Sequence, residues 1–360
     1  MKLLRRRICP VALTLIVSLC FLAGCEGLTY LLHAAEGQLR IQGETEPIED
    51  VLASGRLSEQ EDATLRLIVK AREYAVDEIG LVAGNSYTTF YDSAGDPVVF
   101  SLSAVRRDAL EPKKWAFPIF GEAEHLLFFD EQYLRRVEQE LIDAGLDTYT
   151  YEADAYSTLG FFEDPVRSPM LRRNALSAAE TIFHELLHNT IWRPSAEVFN
   201  ESLAVFVSRT AAVEFLRAEL GDDSGWPEFA AVYYADVDAV SSFLFELYEE
   251  LEAYYARPLS AEEKIAGRET VYQAQRDRFV NEVQPTLTHP EWFEGYANLP
   301  TNNAWVRVRY RYNLDLATFE AVYEALGEDW SAALNVFRAA ASALGDPFEY
   351  LRNWLAERID

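Results

Sequence analysis

Two histidines four residues apart, with a glutamate beside the first, are the clearest chemical feature of the sequence. The segment is His184-Glu185-Leu186-Leu187-His188. On a helix, residues four apart project from the same face about one turn apart, so both imidazoles can reach one metal ion. A catalytic zinc site needs three protein ligands and one open position. In such a site Glu185 would accept a proton from a water that the ion has activated.

Glu201 is the predicted third ligand. Pro194 must end the helix that carries the motif, and a second helix is predicted from about Ala196 to Leu220. A short turn between two helices makes them antiparallel neighbours, which returns Glu201 to the two histidines. The sequence therefore predicts one Zn²⁺ ion held by His184, His188 and Glu201.

The sequence around the motif favours a helix and a metal site over chance. Ser177 and Glu180 form a capping-box pattern that predicts a helix start near Ala178. The alternative is that the two histidines are ordinary core or surface residues beside an exposed acid. The cap, the apolar stripe, the turn and the downstream glutamate together favour the metal interpretation. The other histidines have no partner at metal spacing and are interpreted as packed, structural or loop residues: His33, His125 and His289.

The first 24 residues are typical of a secretory signal. Basic residues at positions 2 and 5–7 precede an apolar run, Val11–Leu22, which is too short to span a membrane as a mature helix. The run ends in Leu22-Ala23-Gly24-Cys25, which resembles the bacterial lipobox, whose cysteine is lipidated and becomes the first mature residue. We therefore expect cleavage after Gly24 and a lipid anchor at Cys25. An ordinary signal peptide and a short N-terminal anchor are the alternatives.

Composition indicates a soluble acidic protein with a substantial core. The chain has 360 residues, of which 49% are hydrophobic and 25% are charged, and its formal net charge is −27. Such a negative surface is repelled by nucleic acid and by anionic lipid head groups, so membrane attachment would depend on acyl chains at Cys25. All three cysteines lie within the first 25 residues, so we expect no disulfide in the mature domain.

The pattern of elements predicts an α+β fold in three parts. Residues 1–24 are the signal peptide, residues 25–225 a catalytic domain with a small mixed sheet, which the family resemblance given below implies to be zincin-like, and residues 226–360 a helical region that completes the cleft. Strands are predicted at 87–91, 98–102, 115–120, 125–129, 148–151 and 156–162, the first two as a hairpin. Helices are predicted from Ser58 to about Ile79 and from Glu131 to Ala144.

The predicted strand 156–162 lies just upstream of the motif and is a candidate substrate-binding edge. Zinc peptidases hold an extended substrate against an edge strand, so Tyr156 is a candidate donor to the developing oxyanion. The alternative is a plain core strand. Further oxyanion candidates are Tyr310 and Tyr312. Acidic residues flank the strand and could bind the α-ammonium group of a peptide: Glu152, Asp154, Glu163 and Asp164.

These segments together resemble the bacterial family of predicted aminopeptidases, lipoproteins of the zincin type. The resemblance covers about residues 22–220 and rests on the lipobox, TYLLHAAEGQL, AYSTLGFFEDPV, IFHELLHNTIW and FNESLAVFV. It implies a zinc peptidase of the bacterial cell envelope that acts on peptides, with ligands His184, His188 and Glu201 and with Glu185 as the base. Asn302-Asn303-Ala304 looks like a further element of the family.

The sequence departs from thermolysin-like zinc sites in two respects. Only 12 residues separate His188 from Glu201, and Val205 stands where a second acid would be expected one turn later. The side chain that orients His184 must therefore come from elsewhere, and Asn200 is the candidate.

Two other functions remain open. Without an acidic group for the α-ammonium, the same centre would make an endopeptidase. A non-catalytic envelope lipoprotein could use zinc only to join two helices, but a structural site normally has a fourth protein ligand, and no cysteine or third histidine lies nearby in the sequence.

Overall fold

The computed structural model describes residues 25–117, 121–153, 156, 158, 162–310 and 315–359. It is an α+β protein with small sheets and a mainly helical C-terminal part. The helices are α1 (Cys25–Gly43), α2 (Ile48–Ser54), α3 (Glu59–Tyr74), α4 (Glu131–Asp143), α5 (Ala175–Thr190), α6 (Glu197–Leu220), α7 (Trp226–Tyr255), α8 (Ala261–Arg278), α9 (Asn303–Tyr310), α10 (Leu316–Ala325), α11 (Trp330–Ser342) and α12 (Pro347–Ile359). The strands are β1 (Glu46–Pro47), β2 (Thr89–Tyr91), β3 (Val99–Arg106), β4 (Trp115–Phe117), β5 (Gly121–Ala123), β6 (His125–Phe128), β7 (Leu146–Ala153) and β8 (Val166–Arg167).

Several predictions fall on residues outside those ranges. They are the signal segment 1–24, the end of the predicted strand 115–120, most of the predicted strand 156–162, and the candidates Asp154 and Tyr312. Cys25 begins α1. No helix in the described part of the chain has both the length and the apolar character needed to cross a bilayer.

The motif helix α5 begins earlier than predicted. Its N-cap is Asn174, whose side-chain oxygen accepts a hydrogen bond from the backbone N–H of Ser177 at 2.9 Å. The helix therefore starts at Ala175, and the predicted capping box of Ser177 and Glu180 is wrong, because Ser177 already lies in the first turn. By contrast, α3 begins directly after Ser58, as the sequence predicts, and Ser58 forms a capping box with Glu61. Helix α6 ends at Leu220, also as predicted, and Gly221 follows it.

The strands form three small sheets, and the predicted hairpin is wrong. Strand β2 lies between β1, which is antiparallel, and β8, which is parallel, whereas β3 lies between β6 and β7 and is antiparallel to both. Strands β4 and β5 form the third sheet. The chain after β2 does not fold back on itself, because the backbone N–H of Ser93 donates to Ser168 Oγ at 2.9 Å, just beyond β8.

The largest hydrophobic core joins the motif helices to the last three helices. Phe183 of α5 and Phe199 of α6 are buried in one cluster with Phe319, Phe337 and Leu351 of α10, α11 and α12. The core therefore extends across residue 225, the predicted domain boundary. A second cluster joins α7, α8 and α9. Because burial of apolar surface is the main stabilising term in folding, the C-terminal helices contribute directly to the stability of the motif helices.

A buried asparagine attaches the second cluster to the sheet of β3. Asn303, at the start of α9, is fully buried, and its Nδ2 donates to the carbonyl of Arg106 at 2.8 Å. Its Oδ1 accepts from the hydroxyls of Tyr255 at 3.0 Å and Tyr272 at 2.8 Å. Its backbone N–H donates to Asp147 at 2.8 Å. The Asn302-Asn303-Ala304 element thus connects elements of the fold.

Candidate functional site

The three predicted ligands meet between α5 and α6. The Nε2 atoms of His184 and His188 are 3.2 Å apart, and the Glu201 carboxylate oxygens lie 3.3 Å and 3.6 Å from them, respectively. In a tetrahedral site with metal–ligand bonds of roughly 2.0–2.1 Å, ligand atoms are about 3.3 Å apart. All three side chains can therefore reach one ion without rearrangement. Two imidazoles and a carboxylate are also ligands that suit zinc.

The turn between α5 and α6 determines how close these ligands come. Within it the backbone N–H of Arg193 donates to Asn200 Oδ1 at 3.0 Å, and Asn200 Nδ2 donates back to the Arg193 carbonyl at 2.8 Å. The prediction that Asn200 orients His184 is wrong, because both ends of its amide are used by the turn. Glu201 follows Asn200 directly, so the closed turn brings its carboxylate to the histidines.

The same turn is held from the far end of the chain. The guanidinium of Arg193 donates to backbone carbonyls at the end of α11 and just beyond it, at 2.7–3.2 Å. These acceptors are Ala340, Ala341, Ala343 and Gly345. The last carbonyls of a helix lack intrahelical partners and carry partial negative charge, so the half-buried Arg193 guanidinium is well placed there.

Burial and charge prepare the side chains of the site for different roles. Burial raises the pKa of Glu185 to about 7 and lowers the pKa of His188 to about 4. Burial also lowers the pKa of His184, but its hydrogen bond to Glu201 and the charges of Glu201 and Glu185 outweigh that effect, so its pKa is raised. His188 is therefore neutral at pH 7, the form that binds metals, and Glu185 can exchange a proton near neutral pH.

A cavity of about 440 Å³ adjoins the three ligands and Glu185. Its other walls are the inner face of α1, the strands β4 to β7 and the chain after β7. The described lining residues all lie between Tyr30 and Glu201. The contribution that we predicted from residues 226–360 is therefore not found among the described walls of this cavity; those residues instead support α5 and α6 through the core.

His125 lies in the wall of this cavity, a position that sequence reasoning missed. Its Nδ1 is 3.0 Å from Glu197 Oε1, and Glu197 Oε2 accepts the backbone N–H of Glu124 at 2.9 Å. Glu197 lies one turn before Glu201 on α6. The predicted ordinary structural role of His125 does not account for this position. The four-residue spacing of the two glutamates was the signal that pointed to a second carboxylate on the ligand face.

Tyr156, the predicted oxyanion donor, also lines the cavity. Its hydroxyl donates to Gln38 Oε1 at 2.6 Å, and the guanidinium of Arg167 lies 3.9 Å from the centre of its ring. Donation to a substrate would require Tyr156 to exchange the hydrogen bond with Gln38, and its role stays a prediction. Tyr310 was also a candidate; its ring stacks on Tyr248 at 3.9 Å, it is not among the described lining residues of the cavity, and its role stays a prediction.

Two of the acidic candidates for binding an α-ammonium group are already engaged. Asp164 is only 1% exposed, and its carboxylate accepts the backbone N–H of Thr158 at 3.0 Å. Glu163 accepts a hydrogen bond from Asn85 at 2.7 Å. Neither Asp164 nor Glu163 is among the described lining residues of the cavity, and neither is Glu152.

Comparison with protein families gives a match to a family model described as "Putative aminopeptidase", which covers residues 29–346. Comparison with curated proteins and with solved structures gives no match. The matched range contains the three ligands, Glu185, the described walls of the cavity and most of both hydrophobic clusters. Peptide hydrolysis is the activity that the family description names. Because the match covers most of its length, the chain belongs to the putative aminopeptidase family.

Proposed function

We propose that the protein is a zinc-dependent peptidase, most simply an aminopeptidase, of the bacterial cell envelope. The observation that carries the proposal is the cluster of His184 Nε2, His188 Nε2 and the Glu201 carboxylate, with 3.2–3.6 Å between the nearest atoms of each pair of side chains, at the wall of a cavity that Glu185 also lines. The donor set and its spacing fit one zinc ion.

The side chains divide the work as follows. His184, His188 and Glu201 would hold the ion, and a zinc ion there would supply Lewis-acid chemistry, polarising the scissile carbonyl and lowering the pKa of a water molecule. Glu185 would accept the proton of the attacking water and then pass it to the leaving amine.

Metal analysis combined with one isosteric substitution tests this assignment. We expect about one zinc per chain in the purified protein and its loss in His184→Ala. Glu185→Gln should retain the metal and lose turnover by roughly 10²–10⁴-fold, the usual contribution of a general base. A Glu185→Gln protein that is as active as the wild type, or a wild type without stoichiometric metal, would overturn the proposal. If the protein carries zinc but hydrolyses no peptide, the ion only joins two helices.

An endopeptidase is the second candidate, because of the charges in the cavity. Among the described lining residues, carboxylates come only from Glu185 and Glu201, and both already have a role. An aminopeptidase needs a further acidic group near the scissile bond. Peptides of one sequence with free and with acetylated N-termini separate the two activities. Cleavage of the free form alone identifies the aminopeptidase, and equal cleavage of both identifies the endopeptidase.

We also propose that a lipid at Cys25 anchors the protein to the envelope. Two features of the sequence support the proposal. A basic segment and an apolar segment lead into Leu22-Ala23-Gly24-Cys25. The net charge of −27 opposes binding to anionic lipid, so attachment to a membrane would need an anchor such as a lipid. Labelling of cells with an alkyne fatty acid should mark the wild type and leave Cys25→Ser unmarked. Release of the unlabelled wild type into the soluble fraction would identify an ordinary signal peptide instead.

A further inference from the structure

The described lining of the cavity beside the candidate metal centre is mostly apolar. Its carboxylates and imidazoles are those of the three candidate ligands, Glu185 and His125, and His125 is paired with Glu197. Aromatic and aliphatic side chains make up most of the other lining residues, among them Leu31, Phe117, Leu127, Phe129 and Tyr151. In the described part of the wall, every carboxylate and imidazole except that of His125 therefore belongs to the candidate metal centre or to Glu185.

The size of the cavity fits one large side chain. Ligand pockets in proteins usually measure about 300–1,000 Å³, and this cavity of about 440 Å³ is at the small end of that range. It can hold one bulky side chain together with the peptide group next to it. A charged side chain would lose its water there, and the two carboxylates of the described lining already have a role at the candidate metal centre, whereas an apolar side chain would gain by leaving water.

The helix α1 forms one wall and is held in a fixed position. The backbone N–H of Leu127 on β6 donates to the Tyr30 hydroxyl at 3.1 Å, and Gln38 accepts from Tyr156. Gly37 allows the close approach of α1, because a Cβ at this position would lie 2.2 Å from Cγ of Phe129. Between Tyr30 and Gln38 the lining residues Ala34 and Ala35 are small, so they leave room for the occupant.

We propose that this cavity binds a large apolar or aromatic side chain of the peptide next to the scissile bond, and that α1 sets the size of the side chain that is accepted. The inference rests on the proposed peptidase function and names its substrate class. It predicts that peptides with phenylalanine, tyrosine or leucine at that position are cleaved much faster than those with glycine, aspartate or lysine. A difference of one methylene group in such a pocket is worth roughly 10–200-fold in kcat/KM.

One substitution on α1 tests the role of this wall, and a neighbouring one is its control. Ala35 lines the cavity, so the larger side chain of Ala35→Phe should fill part of it. For a peptide with phenylalanine next to the scissile bond, kcat/KM should fall at least about 10-fold. For the same peptide with alanine at that position, kcat/KM should change by less than about 3-fold. Leu32 is 61% exposed on the outside of α1, so Leu32→Phe should change neither. Equal loss for both substrates in Ala35→Phe would overturn the role of α1.

A binding measurement separates this inference from the proposed function. We would titrate N-acetyl-phenylalaninamide and N-acetyl-alaninamide into the full-length metal-free protein and follow the ligands by NMR. The phenylalanine ligand should bind at least 10-fold more tightly, and Ala35→Phe should abolish the difference. Equal binding of the two ligands, or none, overturns the apolar pocket even if the protein is a zinc peptidase. Selective binding by a protein that holds no zinc keeps the pocket and overturns the proposed function.

Discussion

Replacement of the buried Asn303 by alanine should destabilise the protein strongly without removing the candidate metal centre. The substitution removes a hydrogen bond from three groups: the buried hydroxyls of Tyr255 and Tyr272 and the part-buried carbonyl of Arg106. A buried polar group that loses its hydrogen bond costs about 1–3 kcal/mol. We take the lower half of that range, about 1–2 kcal/mol for each group, because hydroxyls can rotate and the carbonyl is only part-buried, and expect about 3–6 kcal/mol for the three groups.

Urea unfolding of the chelator-treated protein, followed by circular dichroism, measures this loss. The midpoint should fall while the slope of the transition stays constant, since the surface exposed on unfolding is unchanged. The matched control is Asn298→Ala, at an exposed asparagine, which should stay within about 0.5 kcal/mol of the wild type. The zinc content of refolded Asn303→Ala should equal that of the wild type, because the ligands pack in the other cluster.

A loss below about 1 kcal/mol, or one no larger than that of the control, would refute the reasoning. It would mean that the tyrosines and the carbonyl find other partners and that the connection between α9 and the sheet of β3 depends on apolar packing alone. Loss of zinc at an unchanged midpoint would refute it in another way, because Asn303 would then act on the site instead of on the fold.

Two further predictions concern α1 and a carboxylate near the motif. Gly37→Ala should destabilise the protein by up to about 2 kcal/mol, because overpacking against Phe129 costs about 1–3 kcal/mol while alanine favours the helix by about 1 kcal/mol. The control Gly43→Ala, with no atom within 4 Å of its new Cβ, should be neutral or slightly stabilising. Equal thermal midpoints of the two variants would contradict this prediction. Burial raises the pKa of Glu180, so its contribution to stability is complete below its unfolded pKa and is lost as the pH rises through the folded pKa. Glu180→Gln can still accept the hydrogen bond from Tyr234. The thermal midpoint of this variant, measured in chelator, should therefore rise relative to that of the wild type as the pH increases from 4 to 8. A difference in midpoint that does not change with pH would contradict the raised pKa of Glu180.

Features that depend on neighbours in the sequence could be predicted, and the grouping of His184, His188 and Glu201 is one of them. The four-residue spacing of His184 and His188 fixes their common face, and the short turn leaves Glu201 few places to lie. The start of α5 was mispredicted even though it is local, because Asn174 and Ser177 are both good N-caps three residues apart and the sequence does not choose between them.

Features that depend on distant partners could not be predicted. Strand β2 pairs with β8, about 75 residues later, although the next apolar run in the sequence suggested a hairpin. His125 meets Glu197 only because β6 and α6 pack together, and 72 residues separate them in the chain. The function of Asn303 follows from three segments that come together around it. In each case the deciding energy is that of tertiary contacts, which periodicity does not report.

The contacts of Arg193 have a consequence for how the protein is made. Synthesis proceeds from the N-terminus, so His184, His188 and Glu201 are made well before the carbonyls at positions 340–345, to which Arg193 donates hydrogen bonds. A partly synthesised chain would thus contain all three candidate ligands, while the turn between α5 and α6 still lacked the hydrogen bonds of Arg193 to the C-terminal carbonyls. If the centre binds zinc as we propose, the ion should be bound only after α11 has been made, and a chain that ends before α11 should bind zinc more weakly than the full chain.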